Sequence, residues 1–162
     1  LLYSAKDISE NIMIVDLVRN DLSVTAKKGT VSVDKLCGVY TFSHVHQMIS
    51  TISSKLNNKS DLIDVIATTF PMGSMTGAPK LKAMELIEKY EATKRGVFSG
   101  SVGYIKPNGD FDFNVIIRSL LYDSKKKYLS LSVGGAIVSK SVATKEYEEC
   151  LIKAKPIFEI FS

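Results

Sequence analysis

Apolar positions recur at helical spacing through residues 3–20, where Ile8, Ile12, Val15 and Val18 form one stripe. A short alternating run through Val31 and Val33, followed by Leu36, predicts a strand or two. The apolar spacing over residues 44–56 predicts a helix, and so does that over 61–68. A Gly/Pro-rich loop, FPMGSMTGAPK, comes next. From Ala78 or Pro79 the positions Leu81, Met84, Leu86, Ile87 and Tyr90 again fall on a helical face, and Gly96 closes the unit. Pro79 suits the first helical turn, where a missing N–H costs nothing.

The second half changes period. VFSGSVGYI, DFNVIIRSLLYD and KYLSLSVGGAIV predict three successive strands. Pro107-Asn108-Gly109-Asp110 has the residues of a hairpin turn. A final amphipathic helix is predicted over residues 143–161, with Tyr147, Leu151, Ala154, Phe158 and Phe161 as its apolar face. Helices and antiparallel strands in separate blocks make the fold class α+β.

Composition narrows the picture. The chain has 162 residues, 45% hydrophobic and 23% charged, which suits a globular domain rather than a disordered segment. No apolar run approaches the ~20 residues of a membrane-spanning helix. Cys37 and Cys150 are too few and too far apart for a disulfide framework or a zinc site, so a reduced, cytoplasmic setting is the expectation. The net charge of +4 invites a nucleic-acid reading, but the lysines are scattered among acids. The single basic run, Lys125-Lys126-Lys127, lies between two predicted strands and reads first as a solvated turn.

Several residues look chemical rather than structural. Arg118, predicted mid-strand, falls on the face opposite Phe111, Phe113, Val115 and Ile117 and beside Asp112. Either an ion pair with Asp112 or a bidentate grip on a substrate carboxylate would satisfy it. Gly134 and Gly135 end a predicted strand, where backbone N–H groups can approach a ligand or simply form a bulge. Asp7 and Glu10 share a helical face, as do Glu146 and Glu149, with Lys153 one turn further on. Such acidic pairs are commonly solvated, but two of them can also serve a hard cation such as Mg²⁺. His46 is a general acid/base candidate only if a substrate proton lies near it.

Taken in order, SENIMIVDLVRNDL, VHQMISTI, FPMGSMTGAPKLKAMELIEKYE, RGVFSGSVGYI, DFDFNVIIRS, VGGAIV and EYEECLIKA resemble the chorismate-utilising enzymes along essentially the whole chain. The resemblance is closest to the aminodeoxychorismate synthase branch, component I. It implies the C-terminal portion of a chorismate-binding α/β sandwich, with antiparallel sheets and helices packed outside, over residues 1–162. It also implies conversion of chorismate and ammonia to 4-amino-4-deoxychorismate on the para-aminobenzoate route to folate, with Mg²⁺ as cofactor. The ammonia would come from a glutamine amidotransferase subunit. By the same resemblance Glu10 and Glu149 are direct metal carboxylates, and Asp7 and Glu146 act through water. Arg118 and the backbone of Gly134, Gly135 and Ala136 hold substrate carboxylates, while Lys153 and Ser74 stand near the reacting ring.

Some positions depart from the family pattern. Asp7 replaces a common Glu, Phe98 a tyrosine and Ala136 a third glycine, and Gln47 stands where anthranilate synthases carry His. A lysine in a PIKGT-like motif, expected ahead of the segment that opens this chain, is not in the sequence. The chain is therefore expected to be part of a larger catalytic domain and inactive when isolated. Anthranilate synthase component I and a catalytically incompetent fragment stay open as alternatives. A dianionic small substrate also accounts for the positive charge without nucleic acid or membrane. A gel-shift assay should accordingly show no salt-dependent binding to duplex DNA, and a shift that weakens steeply with salt would contradict that reading.

Overall fold

A computed structural model describes residues 5–42, 46–139 and 141–161. The chain divides into two compact units, Leu1–Ala92 and Thr93–Ser162.

The first unit is organised by α1 (Ala5–Thr25), which packs against β1 (Ser32–Thr41), β2 (His46–Ser53), α2 (Leu62–Thr69) and the 3-10 turn Gly73–Met75. The buried face of α1 carries Val15, Leu17, Asp21 and Thr25. It is rotated from the expected stripe, for Ile12 is exposed. The strands pair antiparallel, from Ser32 opposite Ser53 to Thr41 opposite His46. Asp61 begins α2 with a capping box. Its carboxylate accepts from the N–H groups of Ile63 and Asp64, and Asp64 returns the bond to the Asp61 N–H. The last helix of this unit is α3 (Lys80–Tyr90), with Pro79 at its N-cap.

One expectation fails here. Residues 46–53 form a strand, not the helix predicted over 44–56, and residues 43–45 lie outside the described residues. Met48, Ile49 and Ile52 fit either period, but Ile49, Thr51 and Ile52 are β-branched, and β1 supplies a full-length partner. The pairing decides what the local pattern leaves open.

The second unit holds two hairpins and a helix. β3 (Ser101–Ile105) pairs with β4 (Phe111–Val115), and β5 (Leu120–Asp123) pairs with β6 (Tyr128–Leu131), both antiparallel. The predicted turn at 107–110 joins the first pair: Lys106 N–H donates to the Asp110 carbonyl at 2.7 Å, and Gly109 takes φ +91°. The lysine run forms the second turn, where the Asp123 carboxylate accepts from the N–H groups of Lys125 and Lys126. The long strand predicted for DFNVIIRSLLYD is broken in two. Arg118 has φ +50°, a left-handed value that no strand residue adopts, so it sits between β4 and β5 rather than mid-strand. That break removes Arg118 from the alternation that would set it beside Asp112.

The chain continues from β6 through an extended stretch into α4 (Ala143–Phe158), followed by a 3-10 turn, Glu159–Phe161. Of the five residues expected on its apolar face, Ala154 is buried, while Tyr147, Leu151, Phe158 and Phe161 are exposed. Glu146 is buried instead. Among the described residues, no helix is long and apolar enough to cross a membrane.

The strongest polar contact of the first unit joins α1 to α3. Lys80 Nζ donates to Asp21 Oδ2 at 2.7 Å, with both side chains largely buried. Removing one member leaves the other charge buried and unpaired, which costs ~3–5 kcal/mol. Asp21→Ala in the full-length protein should therefore lower the urea midpoint clearly, and an unchanged midpoint would show that the pair carries no stability.

Candidate active site

Three side chains of α4 gather on a glycine backbone. Glu146, Glu149 and Lys153 recur at intervals of three and four residues, so they share one helical face. Lys153 Nζ donates to the Gly134 carbonyl at 2.9 Å and pairs with Glu149 Oε1 at 2.7 Å. A Cβ built on Gly135 would stand 3.4 Å from Glu146 Oε2 and 3.6 Å from Glu149 Oε1. Both carboxylates are thus aimed at the same bare stretch of main chain, and Ala136, half-buried, follows directly.

Gly135 does not need its freedom for conformation, because its φ lies outside the left-handed range. The glycine instead keeps the carboxylate oxygens uncovered. A methyl at this position would sit in van der Waals contact with both and shut out a polar ligand. Two carboxylates against one ammonium leave a net negative charge in this cluster. The donors are hard oxygens, and Mg²⁺ typically takes one or two carboxylates, water and an anionic substrate, so these residues fit that ion. Among the described residues, no group of three or more His, Cys, Asp or Glu side chains is placed to hold a metal by itself. The protein donors therefore suit an ion that keeps water and substrate oxygens rather than a closed structural site.

The other expected site residues fall in several places. Asp7 and Glu10 lie three residues apart near the start of α1, both half-buried. Ser74 is exposed within the turn Gly73–Met75. His46 is exposed at the end of β2, where its Nδ1 lies 3.0 Å from Thr41 Oγ1 across the ladder. It belongs to a strand and not to the helix expected there. Arg118 is exposed at the break between β4 and β5. Neither Asp21 nor Lys80 was singled out by the sequence pattern. The available signal was an acid four residues after Leu17, at a position where the turn of the helix demands burial.

The sequence profile of chorismate binding enzymes matches residues 1–159. The chain belongs to the chorismate binding enzyme family. It is 41% identical over 155 − 3 = 152 residues to the chloroplastic aminodeoxychorismate synthase of Arabidopsis thaliana, covering 94% of this chain and 16% of that protein. It is 39% identical over 159 residues to anthranilate synthase component 1 of Aquifex aeolicus, covering 98% of this chain and 32% of that one. The fold superimposes on the crystal structure of anthranilate synthase component I from Streptococcus pneumoniae with a TM-score of 0.81 at 35% identity, over 96% of this chain and 35% of that one. This member of the family therefore spans a third or less of the length of those two relatives. The α+β class and the chorismate-binding architecture expected from sequence both hold.

Gly135→Ala tests the reading of the carboxylate cluster. In the full-length protein it should leave the thermal midpoint near wild type and raise the Mg²⁺ concentration for half-maximal activity several-fold. Unchanged magnesium dependence would show that the bare backbone has no part in holding the ion.

Proposed function

We propose that this chain is the chorismate-binding catalytic portion of a cytoplasmic aminodeoxychorismate synthase component I. The reaction replaces the 4-hydroxyl of chorismate with an amino group from ammonia, giving 4-amino-4-deoxychorismate and water. A glutamine amidotransferase subunit supplies the ammonia, and the product leads to para-aminobenzoate and folate. The observation that carries the reading is the convergence of Glu146, Glu149 and Lys153 on Gly134 and Gly135, in a chain of the chorismate binding family.

The substrate has two carboxylates and a hydroxyl that must leave. In this reading Glu10 and Glu149 hold Mg²⁺ directly, and Asp7 and Glu146 hold it through water. When bound, the ion supplies positive charge to the ring carboxylate and the departing hydroxyl. Lys153 neutralises charge beside that carboxylate, and the N–H groups of Gly134, Gly135 and Ala136 orient it. The Arg118 guanidinium takes the enolpyruvyl carboxylate in a two-point grip. Ser74 offers a hydroxyl to the ring.

Gln47 favours the amino product over anthranilate. Loss of pyruvate with aromatisation needs a proton delivered to the enolpyruvyl group, and an amide side chain does not exchange protons near neutral pH as imidazole does. Gln47 is exposed on β2, opposite Tyr40. Its neighbour His46 points to the other face of the strand and is bonded to Thr41, so it does not take over that position.

Chromatography of the products from full-length protein, chorismate, ammonia and Mg²⁺ should show 4-amino-4-deoxychorismate. Release of anthranilate and pyruvate would instead favour the anthranilate synthase reading. Glu149→Gln should reduce turnover at least 100-fold by this account (~3 kcal/mol of lost charge stabilisation), and retention of wild-type magnesium kinetics would refute its assignment as a ligand.

A further inference from the structure

One face of α1 holds the Ser74 loop at both ends. Leu17 and Asp21 are four residues apart and therefore lie one above the other on the helix. At the start of the loop, Gly73 packs so closely on Leu17 that an added Cβ would stand 2.6 Å from Leu17 Cδ2. At its end, the first residue of α3, Lys80, is bound to Asp21 at 2.7 Å. Inside the loop, Thr76 Oγ1 donates to the Met72 carbonyl at 3.1 Å, and its N–H donates to the Gly73 carbonyl at 3.2 Å. Glu10 is seven residues before Leu17, two turns along the same face.

We infer that Asp21 and Lys80 are positioning residues: their buried ion pair, with the Leu17–Gly73 contact, fixes the Ser74 loop in register with the Glu10 face of α1. This rests on the proposed chorismate reaction for its kinetic consequence, but not for its geometry. A buried ion pair is a poor device for stability alone, since apolar side chains of similar size are often as stable or more so. What it adds is direction. Lys80 has one acceptor at the depth of Asp21, so the start of α3 cannot slide along α1 without burying two unpaired charges. An apolar pair would tolerate such sliding.

The test uses the full-length protein and separates the two roles with a double variant. Asp21→Leu with Lys80→Met removes both charges and should restore the urea midpoint lost in Asp21→Asn. If the pair sets the register, the double variant still loses about 10- to 100-fold in kcat/KM for chorismate, as expected when a reacting geometry is misplaced by about 1 Å. Its half-maximal Mg²⁺ concentration stays at the wild-type value, and the Met75 and Thr76 amides exchange hydrogen faster. Lys80→Arg, which keeps a donor for Asp21, should recover most of the activity. Wild-type kcat/KM and unchanged amide exchange in the stable double variant would overturn the inference. If wild-type protein fails to turn over chorismate while amide exchange still rises in the double variant, the reaction assignment fails and the positioning role stands.

Discussion

The approach of α4 to the segment after β6 depends on the missing side chain at position 135. There the carboxylates of Glu146 and Glu149 come within van der Waals reach of a Cβ that glycine lacks. The same approach lets Lys153 span from the Gly134 carbonyl to Glu149. Packing and charge are set by one constraint. The helix face has to be acidic to offer oxygen donors, and it needs an ammonium to temper the repulsion. The backbone opposite has to be bare so that a ligand can reach the oxygens. A larger residue would keep the fold and lose the opening.

The first unit solves a different problem with the opposite means. Its loop carries the Ser74 hydroxyl and has little regular structure beyond the turn Gly73–Met75. Tight apolar contact holds one end of the loop and a buried charge pair holds the other. Both anchor points belong to α1, which also carries Asp7 and Glu10. A long helix is a rigid spacer of about 1.5 Å per residue, so it can keep groups two or three turns apart at a set distance. In this unit the spacing between a carboxylate and a loop is determined by the helix itself.

Much of this was legible before the structure. The helical stripes gave α1, α2, α3 and α4, and Asn108-Gly109 gave the β3–β4 turn, because these features depend on near neighbours in the chain. The pairing of Glu146 with Glu149 followed from spacing for the same reason. Residues 46–53 were misread because Met48, Ile49 and Ile52 suit both periods, and only the distant partner β1 settles the choice. The single strand expected around Arg118 failed because one positive φ in a run of β-formers leaves no mark on composition. The glycine–carboxylate contacts and the Asp21–Lys80 pair join residues far apart in sequence, where pattern carries no distance information. Family resemblance supplied roles for individual residues, whereas the structure supplied the contacts within each unit.

The central claim is that acidic side chains and bare backbone hold chorismate together with magnesium. Calorimetric titration of chorismate into the full-length protein, with Mg²⁺ present and after its removal by chelation, addresses it directly. The account predicts saturable binding at one site with Mg²⁺, and binding weakened at least tenfold without it (~1.4 kcal/mol). Equal affinity under the two conditions, or no heat of binding in either, would contradict it.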